Sequence, residues 1–481
     1  MRLIRFLAAF VLALAAASGA AAEIAGPQFS AASLRAARHA AVEPQLRLVF
    51  DLHRGDAAPV RLTILLGSDY LHMEEGGRET LYDFRLRRRL SLDRQARVFA
   101  SFSLYGDVAF RRFELGKRVT LAEMYGSSGP DDPPPLGLQP FWLESDLGLA
   151  SGAKPPPKIE HETLPDGAVR FRLGREEVAL FAPASEAVPA ELRKSFARFL
   201  RMRLPIHPDI LAAIALDGRL PQRLVLVSVG GGERHPLGLV LRAARLPTGD
   251  YPLPADFEPR PLAGQATDTE ALSLRNLMPL MIDAASVRRG TPRPLAAYQR
   301  GADEALERGQ GFVATLLLAE AALQYGRAAG SCGPGLGWAT PCRNPEEFSR
   351  NLSADPRAVQ FYRAQTAEPK DPAAAAALWD GLKHDDVANG YVVDAFLADR
   401  LSASGHRDAA MGAFSRALEG NPYLVGVYKE LGDHFLRASR TDLAWICYDL
   451  GRALPGRSGD DSLADVDALE TELAARYPEF F

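Results

Sequence analysis

Cysteine is scarce in this chain of 481 residues: Cys332, Cys342 and Cys447 are the only three. They form no CxxC pair and no cluster with histidine, so a structural metal or a dithiol redox centre lacks its ligands. Charge of one sign is missing too. With a net charge of -4 and a pI near 6.2 there is no broad basic face, and nucleic acid is not expected as a partner. HExxH, GxSxG and P-loop spacings are absent, which removes the commonest signposts of hydrolases and nucleotide-binding enzymes. The reading is therefore a non-enzymatic chain with no cofactor. An apolar content of 47% and a charged content of 24% exclude the disordered and collagen-like classes.

Long apolar runs are confined to the start, "MRLIRFLAAFVLALAAASGAAAE". Arg2 and Arg5 precede an apolar stretch from Phe6 to Ala17, and Ala20-Ala21-Ala22 stands before Glu23. That order predicts a secretory signal peptide over residues 1–22, because the stretch falls short of the roughly 20 residues of a membrane span. No transmembrane segment is expected in the mature chain, and its compartment is expected to be the periplasm. In that oxidising setting Cys332 and Cys342, which enclose "GPGLGWATP", are expected to close a disulfide around a Gly/Pro-rich loop. Cys447 reads as a small core residue.

Behind the leader the pattern alternates with period two. Candidate strands are Gln45–Gly55, Val60–Glu75 broken at Gly67, Glu79–Leu86, Arg88–Asp93 and Arg97–Gly106, with turn chemistry at Gly55-Asp56, Gly76-Gly77 and Asp93-Arg94-Gln95. An antiparallel meander is the economical arrangement. The Pro/Gly/Asp-rich stretch from Gly126 to Pro157 is expected to sustain neither helix nor strand. Pairing resumes around the turn Pro165-Asp166-Gly167. Two helices, Glu191–Leu204 and His207–Gly218, then precede a hairpin over "RLVLVSVGGGERHPLGLVLRAARL", whose glycines read as a turn. The expected fold class is α+β: an antiparallel β domain over 23–255 with a helical insertion, a proline-punctuated linker over 256–294, and an all-α repeat domain over 295–481.

Three histidines have acidic neighbours. His161 stands between Glu160 and Glu162 on a strand, where adjacent side chains point to opposite faces. His72 shares a face with Glu74, but two ligands make a poor metal site. His384-Asp385-Asp386 reads as a helix start with acids at the positive dipole end. No metal site is expected.

The last two helical units superpose at a spacing of 34 residues: Leu397 on Leu431, Ala398 on Gly432, Leu401 on Phe435, Gly405 on Ser439, Ala410 on Ala444 and Phe414 on Tyr448. These positions resemble the tetratricopeptide (TPR) signature, and Pro422 matches the proline that closes a repeat. Asp394 departs from it where a large aromatic belongs. The resemblance spans Leu295 to Pro455 and is closest at its end. It implies a concave groove lined by the first helix of each pair, which binds a protein partner of the periplasm or envelope, and it places Asp399, Ser402, Lys429, Asp433 and Arg437 on that groove. The strand region containing "YLHMEEGG", Tyr82-Asp83 and Leu92-Asp93 is similar to bacterial periplasmic lipoprotein-carrier-like domains. That second likeness implies a curved sheet over an apolar cavity, and a competing function: carrier or sensor of a lipid or other apolar ligand.

Overall fold

The computed structural model describes residues 30–126, 139–150, 158–230, 233–259, 291–325, 354–366, 372–382, 389–454 and 463–481. The expected signal peptide, the Cys332–Cys342 disulfide, His384 and residues 260–290 of the linker lie outside them. The chain is α+β, an antiparallel sheet region followed by a region of helices, and it divides into two compact units. The β unit comprises Gln28–Arg260 together with Thr471–Phe481, and the helical unit lies within Pro261–Glu470.

The β unit begins with α1 (Ala31–Arg38), capped by Ser30, whose Oγ accepts from the Ser33 amide at 3.0 Å. Strands β1 (Glu43–Pro44), β2 (Leu46–Arg54), β3 (Val60–Leu66), β4 (Tyr70–Glu75), β5 (Arg78–Asp83), β6 (Arg88–Asp93) and β7 (Val98–Ser103) follow. Next come helices α2 (Leu104–Gly126) and α3 (Pro140–Leu147), strands β8 (Ile159–Thr163), β9 (Val169–Leu173) and β10 (Glu176–Ala187), and helices α4 (Arg193–Arg203) and α5 (Pro208–Asp217). Strands β11 (Arg219–Gly230), β12 (Glu233–Arg245), β13 (Thr248–Gly249) and β14 (Glu258–Pro259) complete it. Twelve strands form one sheet in the order β14-β7-β6-β5-β4-β3-β2-β12-β11-β10-β9-β8. Two antiparallel meanders meet where β12 pairs with β2, and β14 joins the β7 edge in parallel.

Alternation dictates these strands. Leu46, Leu48, Phe50 and Leu52 of β2 are buried with their neighbours facing outward, and Leu62, Ile64 and Leu66 repeat the pattern on β3. Register is pinned by turns: Gly76 and Gly77 both have positive φ, 55° and 79°, as a two-residue hairpin between β4 and β5 requires. β11 and β12 pair antiparallel out to Gly230 and Glu233, and the turn read over the glycines between them lies outside the described residues. On the buried face, Phe199 of α4 stacks on Phe50 with ring centroids 6.2 Å apart, and Phe196 lies 6.1 Å from Phe199.

The helices depart from expectation at two places. The stretch read as irregular contains α3, in which Pro140 takes the N-terminal position that a missing amide tolerates and Gly148 closes the end in the left-handed region. Phe141, Trp142, Leu143 and Leu147 of α3 are buried, so packing overrides the surrounding prolines and glycines. The strand read as running to Gly106 ends at Ser103, and the chain continues as α2. Leu104, Val108 and Leu115 of α2 are buried while Phe110, Phe113, Leu121 and Met124 are exposed, and apolar residues on both sides blur the helical period.

The helical unit contains α6 (Leu295–Glu307), α7 (Gly311–Tyr325), α8 (Pro356–Thr366), α9 (Pro372–Asp380), α10 (Tyr391–Ala403), α11 (Arg407–Gly420), α12 (Val425–Arg437) and α13 (Thr441–Ala453). It also holds the part of α14 (Ala464–Arg476) up to Glu470. Adjacent helices pack as pairs, α6 with α7, α10 with α11 and α12 with α13. Helix α7 is buried nearly all round, as an apolar helix without a polar stripe must be. Its Phe312, Leu316 and Ala319 share a core with Phe361, Trp379, Val392 and Leu397. Within the last pair, a Cβ on Gly432 would come 2.2 Å from the Tyr448 ring, so only glycine lets α12 and α13 approach this closely. Cys447 is a buried free thiol whose pKa burial pushes up.

Candidate functional site

Helices α10 and α12 lie side by side, and the five groove positions read from the repeat fall on them. Asp399 and Ser402 come from α10; Lys429, Asp433 and Arg437 come from α12. Their contacts fall into two groups, coupled by the field of Asp399 on Glu430. Lys429 Nζ lies 2.7 Å from Asp433 Oδ2 and 3.1 Å from Glu430 Oε1. Tyr448 of α13 donates to Asp433 Oδ1 at 2.7 Å. Arg437 Nη2 donates to Ser402 Oγ at 2.8 Å and stands 3.8 Å from Asp399 Oδ1. Helical spacing of three and four residues puts Glu430, Asp433, His434 and Arg437 on neighbouring turns of α12. Most of these groups are half-buried, and the Arg437 side chain is the most open at 46% exposure.

Electrostatics separates their roles. Burial lowers the charged form of Lys429, yet Glu430 and Asp433 outweigh it and hold the ammonium above its ordinary pKa. Glu430 moves the other way: burial first, then Asp399 and Asp433 nearby, push its carboxyl up to about 7, with Lys429 opposing. His434 is pushed down to about 4 by burial and by Arg437 and Arg407. Ser402 Oγ accepts from Arg437 at 2.8 Å and shares a second hydrogen bond with His434 Nδ1 at 2.8 Å.

Acidification follows from these values. The unfolded chain protonates His434 near its ordinary 6.5, before the folded one does, so this contribution is full above that pH and is lost as the pH falls to about 4. The loss reaches roughly 3 kcal/mol. Glu430 acts in the opposite sense between its ordinary 4.5 and about 7, where the folded form holds the proton more tightly. Hydrogen exchange of α12 peptides at pH 7 and pH 5 in wild type and His434→Gln isolates the histidine. The wild type is expected to lose more protection on acidification than the variant, and equal losses would contradict the assignment.

Glu430 and His434 have no place in the repeat signature, and Tyr448 stands in it as a packing position rather than as a donor to the site. The i, i+3, i+4, i+7 spacing from Glu430 through Arg437 was the available signal on α12, whereas Tyr448 reaches the site only through the pairing of α12 with α13.

A second polar cluster is wholly internal to the helical unit. Glu320 of α7, 2% exposed, accepts from Tyr298 at 2.9 Å, Tyr391 at 2.7 Å, Asn389 Nδ2 at 2.5 Å and Asn421 Nδ2 at 2.6 Å. Burial and Glu320 hold both phenols above their ordinary pKa, so they remain donors.

In the β unit, His72 bonds across the sheet to Glu79 at 3.0 Å, not to Glu74, and Arg94 holds the same carboxylate. His161 is exposed on β8. His207 caps α5, meets Glu144 at 2.9 Å and stacks on Phe141. Among the described residues, no group of three or more His, Cys, Asp or Glu side chains is placed to hold a metal, and no helix is long and apolar enough to cross a membrane. Comparison with known proteins finds no matching family model, no similar curated protein and no similar solved structure.

Proposed function

We propose that this chain is an exported, non-enzymatic interaction protein of the bacterial envelope, which holds a protein partner on the face formed by α10 and α12. One observation carries the reading: five polar residues drawn from two successive 34-residue units lie on adjacent first helices, and four of them, Asp399, Lys429, Asp433 and Arg437, stay partly open around the buried Ser402. Solenoids present such faces to partners because each unit contributes its first helix to a shared surface. The leader over residues 1–22 supports export, and with it a periplasmic location for the mature chain.

The network's internal pairing shapes the test. Reversing Lys429 alone would strand Glu430 and Asp433, mixing folding with binding. The double swap Asp399→Arg with Arg437→Glu instead keeps an ion pair within the site and inverts what a partner meets. Its stability is expected to stay within about 1 kcal/mol of wild type, as for other half-exposed pairs. Recovery of a crosslinked complex from the native host is expected to fall about tenfold or more. Unchanged recovery, or a stability loss that matches the binding loss, would assign these charges to packing.

A further inference from the structure

Among the described residues of the β unit, the buried or half-buried Arg38, Arg111 and Arg201 find acceptors, and Arg198 does not. Arg38 meets both oxygens of Asp83 at 3.3 Å, bonds Asp69, and lies over the rings of Tyr70 and Tyr251. Arg111 donates to the carbonyls of Leu147 and Met202, and Arg201 to that of Gly148. Arg198 of α4 is 4% exposed and donates to no described residue, with its Nε sealed from solvent. Its guanidinium lies 4.1 Å from the centroid of the Phe84 ring, which offsets some of the charge but accepts no conventional hydrogen bond. Asp69, the carboxylate whose field favours its charge, is held by Arg38 and Ser68. Lys194 stands one turn earlier on the same helix face, exposed, and the two positive charges repel.

A buried guanidinium without a hydrogen-bond acceptor is costly, and a like charge at i−4 adds to the cost. Burial pulls Arg198 down to about 10, which still leaves it protonated at neutral pH. We propose that Arg198 anchors an anion-binding site in the β unit, which takes the carboxylate or phosphate group of a small ligand, with Lys194 as a second, solvent-facing contact. A planar fork with five donors suits either group. An oxyanion there supplies the missing acceptor and relieves the repulsion between the two cations. This site is independent of the α10–α12 face and stands whether or not that face binds a protein.

The test is calorimetric titration of the whole mature chain, in a buffer free of other oxyanions, with inorganic phosphate and separately with decanoate. Saturable binding by either is expected. Tighter binding of phosphate assigns the site to a free phosphate, and tighter binding of decanoate to an acyl carboxylate. Arg198→Met keeps an apolar stem near Phe84 and is expected to weaken binding about 10- to 100-fold. Lys194→Ala is expected to weaken it about threefold to tenfold and leaves the buried residue untouched. Without oxyanion, Arg198→Met is expected to melt no lower than wild type, since it removes an unpaired buried charge. No saturable binding, wild-type binding by both variants, or a lower melting temperature for Arg198→Met without any anion effect in wild type would overturn the proposal.

Discussion

Truncating Phe480 to alanine is expected to destabilise the β unit by about 3–5 kcal/mol, although this residue lies more than two hundred positions beyond the last strand. The ring is 0% exposed, and the guanidinium groups of Arg111 and Arg201 lie 5.4 and 5.5 Å from its centroid. Its neighbours hold it there: Glu479 pairs with Arg201 at 3.3 Å, Phe481 lies 4.8 Å from Tyr105, and Glu472 pairs with Arg112 at 3.0 Å. Alanine would leave a cavity beneath two half-buried arginines and remove the aromatic ring that offsets their charge. Hydrogen exchange reads this locally, which matters because a chain of two units need not unfold in one step. Peptides of α2 and α4 should lose protection in Phe480→Ala while peptides of α12 keep theirs. Wild-type protection in α4 would show that the ring adds little to the unit.

Glu320→Leu is expected to cost the helical unit about 3–5 kcal/mol. Leucine resembles glutamate in size, but it leaves the hydroxyls of Tyr298 and Tyr391 and the amides of Asn389 and Asn421 without this acceptor. Each stranded donor costs on the order of 1–3 kcal/mol where solvent cannot reach it, although the terms do not add. Gln324 Oε1 lies 2.7 Å from the Tyr298 hydroxyl and offers its single proton an alternative acceptor, so the loss falls more heavily on Tyr391. The double variant Glu320→Leu with Tyr391→Phe removes a donor along with its acceptor, and should recover part of the loss. Exchange protection in α7 and α10 is the measurement. No recovery in the double variant would mean that Tyr391 is not paying that penalty.

Local pattern was enough for β2, β3, β4 and β6, since their period of two comes from the backbone and needs no neighbour to express it. It was enough for the spacing of the late helices as well: α10 and α12 begin at Tyr391 and Val425, 34 residues apart, as the superposed units require. That Asp399 and Ser402 fall on α10, and Lys429, Asp433 and Arg437 on α12, follows from the same register, because a helix fixes which side chains share a face. Helix α3 was hidden by flanking prolines and glycines that describe the segment's ends, while its interior is decided by burial. Helix α2 was hidden by apolar residues on both sides.

Long-range order carried the rest. That β12 closes against β2, that the last residues of the chain pack with α2 and α4, and that Glu320 gathers donors from helices and loops far apart in number are consequences of which surfaces meet. The same holds for charge. In the one-dimensional record Arg38, Arg111, Arg198 and Arg201 are alike, and burial together with the positions of carboxylates and carbonyls gives three of them acceptors and leaves Arg198 without one among the described residues. Periodicity is a property of a segment and can be read along it. Solvation and hydrogen-bond satisfaction are properties of a place, and a place is defined only when segments distant in the chain are brought together.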